Sequence, residues 1–319
     1  MTGEADPEPV RPFSSFIRAG LSWRADEPPP TFEELGLEEA RRTSFEWQSN
    51  RNNAEFLAFF WHDEASAGWV REIHGLFGSS GELVLSTIEA AVEIELTRRA
   101  KAAPLTEPDG ATASVNLAGQ WRALRFFAEA QTNNLMVFGH GVANLVLRTL
   151  ALQLDFDAGK VGGIKKDAFH PGSDEPGAWC SLNAKTVSEL RKAGDSASLD
   201  SSALVESLAA LWGILGPLWS LRGVQYHRWR GESPGVTGIN FVNLNEAKGE
   251  SGVITRSLPG QTDYIEGERI VTDVVNEADT ALRRVGAWMP TFLEAWTSVF
   301  VASKEANEET ARRLWLEGP

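Results

Sequence analysis

The sequence predicts an all-α protein. Apolar residues recur at helical spacing over four stretches, helix-start signals precede three of them, and strand-like alternation is scarce. The composition, 42% hydrophobic and 23% charged, suits a chain that buries a core. At 319 residues the core can be sizeable. These features together predict an up-and-down four-helix bundle of residues 79–302, with an N-terminal helical extension (1–78), a long irregular insertion and a charged C-terminal tail (303–319).

Residues 1–30 are acidic and Pro-rich and read as loosely ordered, without the apolar segment of a signal peptide. Thr31 and Glu34 form a capping-box pattern for a short helix to about Arg42. The aromatic-rich stretch 47–77 has irregular apolar spacing and reads as short helices packed on the bundle. Ser79 and Glu82 form a second capping-box pattern, followed by the stripe Leu85, Ile88, Val92 and Leu96. The next helix spans about 115–155, with Leu124, Phe127, Leu135, Phe138, Val142, Leu145 and Leu152 as its buried face. Gly139 and Gly141 either bend it or admit a neighbour closely.

Residues 156–200 are rich in Gly, Pro, Asp and Lys and read as a surface excursion with one small helix near 185–192. A Leu- and Trp-rich helix then runs from about 202 to Trp219. Its uncharged run, 208–221, is shorter than the about 20 residues of a membrane span and contains Pro217, so a central bundle helix is expected rather than a membrane one. Segments 236–244 and 253–258 are either a small hairpin or loop. Asp263 and Glu266 precede the last long helix, whose stripe includes Ile270, Val274, Leu282, Val285, Met289, Leu293, Trp296 and Val299, with Pro290 expected to kink it.

The formal charge of −14 excludes a generally basic nucleic-acid coat, though not a local basic island. A single cysteine, Cys180, excludes an internal disulfide and multi-cysteine metal sites, and fits a reducing cytoplasm. None of the five histidines forms HExxH, His62 and His74 are too distant to nominate a metal site, and no Walker A loop occurs. No metal or cofactor is therefore expected. Gly139-His140-Gly141 sits where a hydrolase elbow would need a serine at its centre, so that chemistry is not expected either.

One pattern carries chemistry: Arg222 and His227, an R-x-x-x-x-H string following an apolar helix. RNA holds its own nucleophile, the 2′-OH. Its cleavage needs a group that moves a proton near neutral pH, which histidine can do, and a fixed cation for the phosphate, which arginine supplies. At these residues the chain resembles the HEPN superfamily of helical-bundle proteins, many of them metal-independent endoribonucleases of toxin and antiviral systems, whose hallmark is R-x(4–6)-H.

The resemblance covers about 79–302. It implies that Arg222 holds the scissile phosphate, that His227 is the general acid or base, and that two copies join as a homodimer with one composite cleft. It also implies RNA as substrate and, for a toxin-like protein, a cognate partner protein. Where that family often has Asn, Asp or His after the arginine, this chain has Gly223, which favours a non-catalytic binding module as the alternative.

Neighbours could complete the site. His140, Asn144 and Arg148, at i, i+4 and i+8, share one helix face and are either a buried network or a pocket wall. Arg228 and Arg230 are either solvated charges or contacts to the RNA backbone, and Tyr226 could stack on a base.

Overall fold

The computed structural model describes residues 29–58, 61, 63–102, 110–153, 155–195, 199–224, 245–248, 254–257 and 261–317. Among these, six α-helices account for nearly all regular structure: α1 (Glu38–Ala58), α2 (Glu64–Ala102), α3 (Gly110–Leu150), α4 (Ala184–Gly194), α5 (Ser202–Val224) and α6 (Gln261–Glu317). The one sheet described is an antiparallel hairpin, β1 (Asn245–Lys248) with β2 (Ile254–Ser257), in which Asn245 pairs with Ser257. The expected all-α class is therefore present; β2 falls within the segment 253–258 that allowed a hairpin, whereas β1 follows the segment 236–244, which lies outside the described residues.

Contacts fix the helix directions. Glu72 of α2 meets Arg148 of α3, whereas Ile94 shares a buried cluster with Leu124, so α2 and α3 run antiparallel. The Trp288 indole of α6 donates to the Ser207 carbonyl at 2.8 Å, and Leu221 packs on the cluster holding Val274 and Val275. That makes α5 antiparallel to α6. Gln131 reaches Asp279, and Thr149 receives the Trp296 indole, so α3 and α6 run parallel. The four long helices thus alternate in direction.

Helix α1 wedges between α2 and α6. Its entry is the expected capping box: the Thr31 N–H donates to Glu34 Oε2 at 2.8 Å and the Glu34 N–H to Thr31 Oγ1 at 3.1 Å. Residues 32–36 form a turn closed by Gly36 at φ +65°, and the α-helix begins only at Glu38. The wedge is close: a Cβ on Gly286 of α6 would stand 2.6 Å from Ala40 Cα.

At its centre Trp47, fully buried, meets Phe77 at 5.1 Å, Phe138 at 5.7 Å, Trp288 at 6.0 Å and Phe292 at 5.1 Å between ring centroids. Four helices contribute to that cluster. The irregular apolar spacing of 47–77 reflects small and polar residues on the buried stripe of α2, where Ser66 and Gly68 stand beside Trp69, Val70, Ile73, Leu76 and Phe77.

Two expectations are corrected here. The helical residues described within 47–77 belong not to several short helices but to the end of α1 and the first part of α2. And α2 does not start at Ser79: it crosses 78/79 unbroken from Glu64. The Ser80 hydroxyl donates back to the Leu76 carbonyl inside the helix and receives the Trp47 indole at 2.9 Å, so the local hydroxyls serve packing rather than a cap.

Helix α5 packs one face into the bundle and leaves the other, with Trp219, exposed, so it is a bundle helix but not a central one. Segment Ser202–Leu221 is long and apolar enough, by length and composition, to cross a membrane. Yet Leu204, Leu208, Leu211, Leu215 and Leu218 are buried in the core that joins α5 to α3, α4 and α6. Pro217 lies inside α5, and Pro290 inside α6, without ending either helix.

Candidate functional site

The i, i+4, i+8 row of α3 resolves into a polar ladder that holds the 156–200 connection against the bundle. The Arg148 guanidinium donates from Nε to Glu72 Oε2 at 2.5 Å, from Nη1 to Asn144 Oδ1 at 3.2 Å, and from Nη2 to the Ala178 carbonyl at 3.2 Å. Asn144 donates from Nδ2 to the Cys180 carbonyl at 2.7 Å and accepts the Cys180 N–H on Oδ1 at 3.0 Å. The Leu182 N–H donates to His140 Nδ1 at 3.0 Å, which places the neutral ring's proton on Nε2.

The ladder works because two periods nearly match. Successive rungs on α3 are four residues apart, about 6.0 Å along a helix. Successive rungs on the connection, 178, 180 and 182, are two residues apart, about 6.6 Å along an extended chain. Trp179 is extended at φ −126°, ψ 139°, so a helix face stands in for the neighbouring strand of a sheet. Asn144 reproduces both hydrogen bonds of a β-bridge with its side-chain amide.

Arg148 is 1% exposed, and a buried guanidinium needs both a counter-charge and hydrogen bonds. Glu72 supplies the charge, and its other oxygen accepts the Gly172 N–H. Aromatic faces complete the shell: the guanidinium carbon lies 4.1 Å from the Trp179 centroid, 5.7 Å from Trp69 and 5.8 Å from Phe169. Burial pushes the adjacent Cys180 thiol up to about 12, although the Arg148 charge opposes the shift, so this cysteine stays a protonated, unreactive core group.

The connection is therefore not a surface excursion. Val161, Ile164, Cys180, Leu182, Val187 and Leu190 are all in the main core, and the small helix α4 is N-capped by Asn183, whose side chain accepts the Thr186 N–H at 2.9 Å. Of the two readings open for His140, Asn144 and Arg148, the described geometry is that of a buried network. Sequence reasoning missed its acidic partner. Glu72 falls three residues after Trp69 and one before Ile73, a lone acid beside a buried stripe, and a buried arginine on α3 requires such an acid nearby.

The R-x-x-x-x-H string begins where α5 ends. Arg222 lies in the last turn of α5, with its side chain outside the described set. Tyr226, His227, Arg228 and Arg230 lie outside the described residues. One turn before Arg222, Trp219 is 46% exposed and meets the His140 ring edge-on at 6.3 Å. Gly139 makes that approach possible, because a Cβ there would stand 2.7 Å from Leu215 of α5 and 2.9 Å from Leu182. The end of α5 and the His140 end of the ladder are thus neighbours. Among the described residues, no group of three or more His, Cys, Asp and Glu could share a metal ion.

Comparison of the chain with protein-family models, with curated proteins and with solved structures finds no match.

Proposed function

We propose that the chain is a metal-independent endoribonuclease built on an up-and-down bundle of the HEPN type, acting as a homodimer in a stress or phage-defence system. Arg222 holds the scissile phosphate and His227 moves the proton, while the substrate's own 2′-OH attacks. The cleaved strand then ends in a 2′,3′-cyclic phosphate. Arg228 and Arg230 track the RNA backbone and Tyr226 stacks on a base.

The supporting observation is positional. Arg222 stands in the last turn of the third of four alternating helices, one turn past a half-exposed tryptophan that touches His140. An arginine in the last turn of a bundle helix, three residues after a half-exposed tryptophan, suits a phosphate flanked by a base.

A second reading is favoured by one specific observation. Asn144 and Arg148, expected to help bind substrate, direct their polar groups to the chain's own residues 72, 178 and 180. Together with Gly223, this favours a helical module that binds a partner protein or RNA without cutting.

Incubation of the purified chain with RNA in EDTA separates the two. The nuclease reading expects cleavage, and a loss of about 100-fold or more in each of His227→Ala and Arg222→Ala at unchanged helicity. RNA retained on a filter but left intact supports the binding module. Cleavage that survives both substitutions removes the roles given to Arg222 and His227.

A further inference from the structure

A second site lies away from that edge. Helices α2 and α6 and the turn before α1 enclose a cleft of about 200 Å³. That is smaller than the roughly 300–1,000 Å³ of pockets for drug-sized ligands, so it has room only for a small molecule. Leu35, Leu37 and Ala91 give it an apolar side. Three guanidiniums, Arg98, Arg99 and Arg283, and three carboxylates, Glu34, Glu95 and Asp279, give it charges of both signs.

These charges are unequally satisfied. Arg99, also in the wall, is held by Glu95 at 3.1 Å and Glu34 at 3.7 Å, one guanidinium between two carboxylates. Arg98 has one long contact to Asn276 Oδ1 at 3.4 Å, and Arg283 one bond to the Leu35 carbonyl at 3.0 Å. A guanidinium carries five N–H donors, so both keep directed donors for a further partner.

Asp279 is oppositely placed. It accepts the Gln131 amide at 2.6 Å, and Gln131 is itself fully buried with Oε1 lacking a partner. Burial raises the Asp279 carboxyl above its ordinary range, the Gln131 bond and the Arg98 and Arg283 charges only partly opposing that. Donors for an anion, an acceptor for a cation and an apolar wall therefore face one small space.

We infer that this cleft binds a small zwitterion, an aliphatic α-amino acid, with its carboxylate on Arg98 and Arg283, its ammonium on Asp279 and its side chain against Leu35, Leu37 and Ala91. The inference is independent of the nuclease reading, since the two share no residue.

Calorimetric titration of the full chain with L-leucine tests it, alongside two analogues: 3-methylbutylamine, which lacks the carboxylate, and 4-methylpentanoate, which lacks the ammonium. Saturable leucine binding is expected, with each analogue weaker by about tenfold or more, the loss of one charged hydrogen-bonding group. Asp279→Asn should lower leucine affinity to that of 4-methylpentanoate, and Arg98→Gln with Arg283→Gln to that of the amine. The analogue series on the unaltered protein stands even where a variant misfolds. No leucine uptake at millimolar concentration overturns the inference. So does equal binding of leucine and 4-methylpentanoate, or competition by inorganic phosphate as strong as by leucine, either of which marks a simple anion site.

Discussion

Arg148→Met lowers the unfolding free energy by about 3–5 kcal/mol, the cost of breaking a buried ion pair from one side. The substitution keeps much of the volume, so little of the loss comes from a cavity. It comes from Glu72, left without its guanidinium, and from the Ala178 carbonyl and Asn144 Oδ1, each losing a donor.

Arg148→Lys does not rescue it. A lysine cannot present three donors in one plane or stack flat beneath Trp179. Adding Glu72→Met to Arg148→Met recovers part of the loss, because the stranded carboxylate goes while the Ala178 carbonyl stays unpaired. Urea unfolding of the two single variants and the double measures this as a coupling energy of about 0.5–3 kcal/mol, with the double less unstable than the singles sum to. Strict additivity would show that the pair is not coupled.

Trp47→Ala costs a similar amount, about 3–5 kcal/mol, for a different reason. Here no charged group is involved. The indole fills the space among α1, α2, α3 and α6, and its removal leaves a cavity bounded by Phe77, Phe138, Trp288 and Phe292, whose rings are packed on one another and cannot collapse inward together. Trp47→Phe is milder, since it restores most of the packing and forfeits chiefly the 2.9 Å bond to Ser80. Thermal melts of the two variants rank them. A Trp47→Phe protein as unstable as Trp47→Ala would assign the energy to the hydrogen bond instead of the rings.

The parts of the fold legible in the sequence are those whose buried positions carry large apolar side chains. Helix α3 shows its stripe through Leu124, Phe127, Leu135, Phe138, Val142 and Leu145, although 142–150 is buried on every side, and Thr31 with Glu34 forms its capping box as written. Helix α1 does not read as one stripe in the sequence because its buried face, positions 40, 43, 44 and 47, carries Ala40, Thr43, Ser44 and Trp47, only one of them large and apolar. Ser79 and Glu82 imitated a helix start, since a capping-box pattern reads the same whether the hydroxyl caps an end or bonds one turn back, as Ser80 does to Leu76.

The connection 156–200 hid its burial for a related reason. Its composition is that of a loop, and its backbone is satisfied by side chains on α3 that lie far away in sequence. Only the helical spacing of His140, Asn144 and Arg148 gave notice of a shared purpose. What that row holds, an extended segment at two-residue intervals, depends on a match of rises that one-dimensional spacing does not display. Of the nuclease candidates, spacing singles out Arg222 and His227; Arg222 falls in the last turn of α5, three residues after Trp219, and His227 lies outside the described residues.

The most direct test is amide hydrogen exchange at Cys180 and Leu182, whose N–H groups end on Asn144 and His140. In the unaltered protein both should exchange as slowly as the bundle core, even though they sit in a segment without regular structure. In Asn144→Ala the Cys180 amide should exchange faster by about an order of magnitude or more, the loss of one buried hydrogen bond, while core amides of α3 change far less. Fast exchange at both positions in the unaltered protein, or protection at Cys180 that Asn144→Ala leaves untouched, would contradict a connection held rung by rung on a helix face.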